Sequence, residues 1–374
     1  MLWSKHTLKN SKKFMHTMVQ EDYDALKYRK WIQINQSSND DDNNKISIMT
    51  YNLLSRHYIW KSVYEQNNPK HLNWSKHRFP LINKTIRQLK SDIMCFQEME
   101  YYIYKRFWSK KFPNEKYKSF YIQKSSTQYY TNENTDGVGI FINTERFDIL
   151  EKFEINFGKE ILDHKNKYDL TKDLVGRVIP RNTVGLILKL YDKESNKILY
   201  VTNTHLYWSP KFNDVKILQT KLLLDKLNSC RKEQDSAVIF LGDLNSNFNS
   251  DVIKLLKEGQ LDTTTSIEFK TQEYGINNAL INSEAIIENP FNLQNVYETL
   301  FAESKLHFTS FVSRFSDVVD HIFISDDIEI NKVLGEVDPK YCANKQVKGF
   351  PNGQFPSDHI PLVVEISYKR NNNR

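Results

Sequence analysis

The stretch AVIFLGDLNSNFNS (237–250) decides how the chain is read. Ala237-Val238-Ile239-Phe240 describes a buried strand, and within two further residues the character changes to Gly242-Asp243-Leu244-Asn245. Residues two apart on an extended chain point to the same side, so Asp243 and Asn245 are expected to share one spot at the strand exit. There a carboxylate that holds a proton or a metal would stand beside an amide that donates to an oxyanion. Asn249 or Ser250 has a plainer use, as the cap of the amphipathic DVIKLLKEG segment closed by Gly259. Capping accounts for Ser246 to Ser250, whereas Asp243 and Asn245 come too early for it.

Outward from this strand, short apolar runs alternate with helical patterns. Strands are expected at 46–52, 92–98, 138–143, 183–191, 198–206, 237–243, 318–325 and 361–367, each rich in β-branched or aromatic residues. Helices are expected at 75–90, with Phe79, Ile82, Ile86 and Leu89 on one face, and at 214–227, with Val215, Leu218 and Leu222. DKESNK (192–197) turns one strand back on the next as a hairpin, and 262–290 reads as a long loop. No linker divides the chain, so one α/β domain over 45–369 is expected, with a peripheral segment 1–44 and a polar tail 370–374.

With 374 residues, 39% hydrophobic and 26% charged, the composition is that of a globular chain, and no apolar run reaches the length of a membrane span. An intracellular, chiefly cytoplasmic protein is expected. A mitochondrial presequence in the basic N-terminus is the alternative, although no arginine precedes Arg29. Three cysteines without CxxC or Cys/His spacing point to neither a disulfide framework nor a zinc site. The net charge of +6 permits a polyanionic partner without demanding one. In YYIYKRFWSKKF (101–112), basic and aromatic residues interleave as in a nucleic-acid surface, but Tyr104, Phe107, Trp108 and Phe112 recur at helical spacing, which favours a buried stripe.

The polar residues then fall into place. Asn52, Glu98, His205 and Asp243 close their strands, Asp320 opens one and His359 precedes another. If ascending strands end where descending ones begin, all six meet at one rim of a mixed sheet. Glu98 suits a hard divalent cation, with Asn52 adding a neutral oxygen, because Mg²⁺ takes few protein carboxylates and keeps water and substrate phosphate. Asp243 could take or position the proton of an attacking water, while Asn245 and His205 hold phosphate oxygens. Ser357-Asp358-His359 cannot act together as a triad, since neighbours on an extended chain face opposite ways. Asp320 is the better partner of His359, fixing its tautomer and keeping it protonated, and Asp358 then faces the metal or a water on the phosphate side.

TYNLL (50–54), FQEME (96–100), NTHLYWSP (203–210), DVKILQT (214–220), GDLNS (242–246), VVDHIF (318–323) and FPSDHIPL (355–362) together resemble the ordered motifs of the endonuclease/exonuclease/phosphatase superfamily. The likeness runs over roughly residues 45 to 369 and is strongest to the branch of nocturnin, Angel and the carbon-catabolite-repressor deadenylases, with the fungal Ngl RNA exonucleases nearest. It implies a four-layer α/β sandwich with two packed mixed β-sheets and Mg²⁺-dependent phosphodiester hydrolysis, Mn²⁺ being a substitute. It also implies the roles given above for Asn52, Glu98, His205, Asp243, Asn245, Asp320 and His359. Pro210 and Phe308 match the positions that hold the 3′-terminal base in the deadenylases. His321 departs from the tyrosine usual in the family, which leaves base preference open. The expected activity is 3′ to 5′ exoribonuclease action on single-stranded RNA, on poly(A) tails or in RNA 3′-end trimming, without preference for DNA. The alternatives are a 2′-phosphatase of NADP(H) and a catalytically silent RNA-binding protein. No leucine-rich repeats are seen, so docking to a deadenylase complex is not expected.

Overall fold

The computed structural model describes residues 23–35, 44–125, 135–233 and 235–369. Two mixed sheets carry the fold. The first contains β1 (Trp31–Gln33), β2 (Ile46–Asn52), β3 (Ile93–Glu100), β4 (Tyr117–Gln123), β5 (Asp136–Asn143), β12 (Ile328–Leu334) and β13 (Leu362–Tyr368), in the order β1-β12-β13-β2-β3-β5-β4. The second contains β6 (Phe147–Asn156), β7 (Val184–Asp192), β8 (Lys197–His205), β9 (Ala237–Asp243), β10 (Leu293–Asn295) and β11 (Asp320–Ser325), in the order β10-β11-β9-β8-β7-β6. In each sheet one central pair, β2 with β3 and β8 with β9, runs parallel, and the remaining pairs are antiparallel.

The pleat explains the layers. Ile93 and Cys95 of β3 meet Val201, Ile239 and Leu241 of the second sheet in a core between the sheets. Their neighbours Met94 and Phe96 turn outward, with Met49 and Tyr51, to pack on Ile82 and Ile86 of α1 (Phe79–Leu89). On the second sheet Val238 and Phe240 turn outward to α3 (Asn213–Cys230) and α4 (Asp251–Glu258), while α2 (Phe157–Asp163) joins the same layer. Strands buried on both faces read as continuous apolar runs, which is why 237–243 is legible in the sequence. Each such side chain contributes roughly 2 kcal/mol by leaving water. The 101–112 segment is helical, and its Trp108 and Phe112 are buried on the outer face of the first sheet. The stripe is therefore packing.

Within the segment expected to be peripheral, residues 23–35 join the first sheet at its edge. β1 adds an edge strand to β12, and the buried Arg29 donates to the carbonyls of Leu334, Gly335 and Pro361 at 3.2, 2.8 and 2.6 Å. A charged residue in a polar stretch looks solvated until the carbonyls that surround it are known. The expected loop 262–290 is correct for most of its length but begins and ends in a two-stranded ladder, Gln260–Asp262 with Ile286–Glu288. The suggested targeting segment lies mostly outside the described residues, as does the tail 370–374. Among the described residues no helix is long and apolar enough to cross a membrane.

Candidate active site

Strand register brings the polar ends together. His205 lies opposite Asp243 across the parallel β8/β9 pair, and Asp320 lies opposite Asp243 across antiparallel β11/β9. From the first sheet come Asn52, at the end of β2, and Glu98 on β3, while His359 sits just before β13 and bridges to Ser310. All six residues meet at one rim where the two sheets face each other. Gly242 makes the close approach of β8 and β9 feasible: a Cβ there would fall 2.0 Å from the Thr204 carbonyl oxygen, and φ is +144°.

Glu98 reaches the rim through a β-bulge. The pairing of β3 with β5 slips between Phe96 and Met99, and Glu98 adopts φ 53°. Regular alternation would have aimed it with Phe96 into the helix layer; the bulge turns it into the cleft. Its carboxylate accepts from Asn52 Nδ2 at 3.0 Å and from the Ser55 backbone N–H at 2.7 Å. Crowding by protein, reinforced by the charges of Asp358 and Asp136 and opposed by Lys124 and Asn52, pushes its pKa up to about 8. A carboxyl so disfavoured as an anion is one that a cation would ionise.

Asp243 is buried at the centre. One oxygen accepts from Asn52 Nδ2 at 2.8 Å, and the other from the Asn245 N–H at 3.0 Å. Burial and the nearby Asp320 raise its pKa to about 6, against the pull of His359. Two imidazoles flank it, with His205 Nε2 at 3.6 Å and His359 Nε2 at 3.8 Å from Oδ2. Their charges differ. Burial, then Lys124 and His359, hold His205 well below the usual imidazole range, so it is neutral. Burial opposes a charge on His359 as well, but Asp320, Asp358 and Asp243 together hold it well above that range. Asp320 Oδ2 lies 2.7 Å from His359 Nδ1, so Nδ1 is a donor and Nε2–H is aimed toward Asp243.

The donor set fits a divalent cation. Glu98, His205 and Asp243 offer ligand atoms within 4.8 Å of one another; Asp243, Asp320 and His359 lie as close, but there the protonated His359 is itself the cation. His205 Nδ1 and Asp320 Oδ1 are buried without a hydrogen-bond partner among the described residues.

Several expected roles change. Asn52 does not present a neutral oxygen: that atom accepts from the Leu54 N–H at 2.9 Å, and the amide nitrogen ties Glu98 to Asp243. Asn245 is not extended but has φ 48°, and its amide donates to the Leu206 carbonyl at 3.0 Å, so a tight turn and not strand alternation sets it beside Asp243. Asp358 belongs to neither ligand group; it accepts from the Tyr64 hydroxyl at 2.7 Å and acts on Glu98 through its charge. Phe308 is 7% exposed, with its ring 5.1 Å from Phe311 and 6.0 Å from Phe350. It packs in a small satellite core instead of offering a face to a base, while Pro210 remains exposed at the start of a short turn. His321 points away from the cleft, between Asn295 and the Ser246 carbonyl.

Three supporting roles escaped sequence reasoning. Lys216, buried on α3, donates to the Asn245 carbonyl at 2.6 Å. Ser357 donates to the Asn52 carbonyl at 2.7 Å, and the Thr309 hydroxyl accepts from the N–H groups of Val319 and Asp320. Only Lys216 left a signal, as a cation within an otherwise apolar helix stretch, VKIL (215–218).

Two carboxylates, an Asp–His pair and an amide bridge thus stand together at one rim between the packed sheets. The chain belongs to the endonuclease/exonuclease/phosphatase family, whose model matches residues 49–359. Among curated proteins it is similar to the CCR4-Not complex 3′-5′-exoribonuclease subunit Ccr4 of Candida glabrata, 31% identical over 347 residues, covering 90% of this chain and 38% of that one. The Saccharomyces cerevisiae protein of the same description is 31% identical over 340 residues, covering 87% and 39%. The chain thus spans about two fifths of the length of these relatives. Among solved structures it is similar to ANGEL2, a 2′,3′-cyclic phosphatase, in complex with adenosine-2′,3′-vanadate (TM-score 0.73, 24% identity, 91% of this chain and 99% of that one). The human Nocturnin catalytic domain with bound sulfate gives TM-score 0.61 at 19% identity, covering 91% and 98%. Both share the four-layer fold.

Proposed function

We propose that the domain is a Mg²⁺-dependent 3′ to 5′ exoribonuclease that shortens single-stranded RNA and releases 5′-mononucleotides. The observation that carries the reading is Asp243 set between a neutral His205 and a charged His359, with Glu98 facing them across the rim. The exoribonuclease description of the Ccr4 relatives supports RNA as the substrate. Glu98 would hold the cation, with Asp243 and His205 as the nearest further donors. When bound there, a divalent cation supplies charge neutralisation to the phosphate. Asp243 orients the attacking water and accepts its proton as the water oxygen bonds to phosphorus, a task suited to a pKa near 6. His359 donates from Nε2 to a non-bridging phosphate oxygen as negative charge builds, while Asp320 holds its tautomer. Asn52 keeps the two carboxylates in register. The 3′-oxygen of the penultimate sugar leaves in line.

The deciding assay offers purified protein a 5′-labelled single-stranded RNA, the same RNA with a bulky 3′ adduct, and NADPH, each with Mg²⁺ and with chelator. A ladder shortening from the 3′ end, absent with the adduct and with chelator, is expected. Internal fragments of equal yield from both RNAs overturn the exonuclease reading. Phosphate release from NADPH without RNA shortening makes the domain a phosphatase.

A further inference from the structure

An exposed pair of tryptophans straddles the same rim. Trp208 lies three residues beyond His205, on the loop leaving the second sheet, and Trp60 lies on the segment following β2, in the first. They are 56% and 43% exposed, yet their rings meet at 5.8 Å and 67°. Apolar rings of this size left in water are unfavourable, and neither serves a core. Because they meet edge-on, ring faces stay open to a third planar group.

The pair is tied to the site on both sides. Trp60 contacts the Tyr58 ring at 6.0 Å, and the Tyr58 hydroxyl donates to Asp136 at 2.8 Å. Asp136 and its ion-pair partner Lys124, at 2.8 Å, are, after Asp358, charges that act on Glu98. On the other side, Trp208 contacts Tyr207 at 6.1 Å, and Arg181 lies 4.7 Å over the Tyr207 ring. Arg181 bonds the Arg177 carbonyl and the Tyr207 hydroxyl, with no carboxylate partner among the described residues, and so keeps positive charge beside the pair.

We propose that Trp60 and Trp208 form a stacking platform for unpaired bases of the RNA on the 5′ side of the cleaved bond, with Arg181 facing the backbone phosphates. The assignment to the 5′ side rests on the exonuclease reading, under which only one nucleotide lies beyond that bond. Stacking on aromatic rings tolerates any base and needs a single strand, since paired bases have no free faces. Such a platform makes the enzyme prefer longer single strands independently of sequence.

The test compares wild type, Trp60→Ala/Trp208→Ala and Trp60→Phe/Trp208→Phe. Binding of a 3′-blocked single-stranded decanucleotide is read by fluorescence anisotropy, beside a duplex of the same length. Hydrolysis of a dinucleotide and a decanucleotide is read as kcat/KM. The double alanine variant should bind the single strand about tenfold more weakly or worse, and its gain in kcat/KM with substrate length should collapse. The phenylalanine variant should keep most of both. Unchanged single-strand affinity in the alanine variant, or equal losses on single strand and duplex, overturns the platform. A wild type that grips single strands through the pair yet shortens none from the 3′ end overturns the nuclease reading alone.

Discussion

Two buried imidazoles lie on opposite sides of β11, one in the cleft and one behind it. In the cleft, His359 is surrounded by Asp320, Asp358 and Asp243 and carries a proton despite its burial. Behind the strand, His321 is buried as deeply, and desolvation lowers its pKa to about 4. Its neutral form is specified by its neighbours: Nε2 lies 2.7 Å from the Ser246 carbonyl, and Nδ1 lies 3.0 Å from Asn295 Nδ2. The Asn295 oxygen is occupied by the Tyr297 N–H at 2.9 Å, so the amide must present its nitrogen. Asp320 and His321 are adjacent, and the pleat sends one to each side. The same side chain thus becomes a cation in the cleft and an uncharged wedge behind the strand that lines it. Company, more than burial, sets the charge.

The comparison can be broken at several points. In the cleft, Glu98→Gln should lower kcat/KM with Mg²⁺ about 10³-fold, close to 4 kcal/mol, while the melting temperature stays near that of wild type. A variant keeping more than about a tenth of the rate, a loss under about 1.4 kcal/mol, removes Glu98 from the mechanism.

Behind the strand the prediction concerns stability. Above pH 6.5, His321 is neutral in the folded and unfolded states alike. As pH falls below that value, the unfolded chain takes up a proton that the folded chain refuses until about pH 4, so stability drops with acid. The loss should approach roughly 3 kcal/mol and level off below pH 4. His321→Gln can keep both hydrogen bonds without titrating, so its denaturant midpoint should gain on that of wild type as pH falls from 6.5 to 4, by the equivalent of roughly 3 kcal/mol. A constant difference across the range denies the neutral wedge. His359 carries the opposite sign: its raised pKa contributes stability that is full below pH 6.5 and is lost as pH rises through its folded value.

Asp320→Asn sharpens the contrast, because it leaves the hydrogen-bonding shape and removes the charge that keeps His359 protonated. The rate at neutral pH should fall about 10²-fold, near 2.7 kcal/mol, and part of it should return at lower pH, as read from a pH profile of kcat/KM. A flat ratio to wild type at all pH values counts against a charged His359. The smallest effect is expected from Lys216→Met, which frees the Asn245 carbonyl behind the Asp243 turn: about a tenfold loss in kcat with KM little changed. An equal rise in KM would place Lys216 in substrate binding instead.

Legibility followed the pleat. The central strands 46–52 and 237–243 were readable to the residue because burial on both faces leaves a run dominated by apolar and β-branched side chains. The missed strands of the two large sheets were β1, β4, β6, β10 and β12. Four are sheet edges: β6 carries Asp148, Lys152 and Glu154 along its exposed face and borders the second sheet, whose other edge is β10, and β1 and β4 close the first sheet. Charges protect an exposed edge from pairing, and they also erase the pattern by which a strand is recognised. Phe308 was misread for the opposite reason. An aromatic ring looks the same in a sequence whether its face meets a base or, as here, Phe311 and Phe350.

The order and identity of Asn52, Glu98, His205, Asp243, Asp320 and His359 were determined by sequence alone, because each lies where an apolar run begins or ends. Register then converts strand ends into a rim. What each group does there was decided by tertiary structure: the bulge that swings Glu98 into the cleft, the amide of Asn52 turned donor, and the left-handed turn at Asn245. The charges of His359 and His321 belong to the same level. A protonation state depends on desolvation and on charges within a few ångströms, and those neighbours come from strands far apart along the chain.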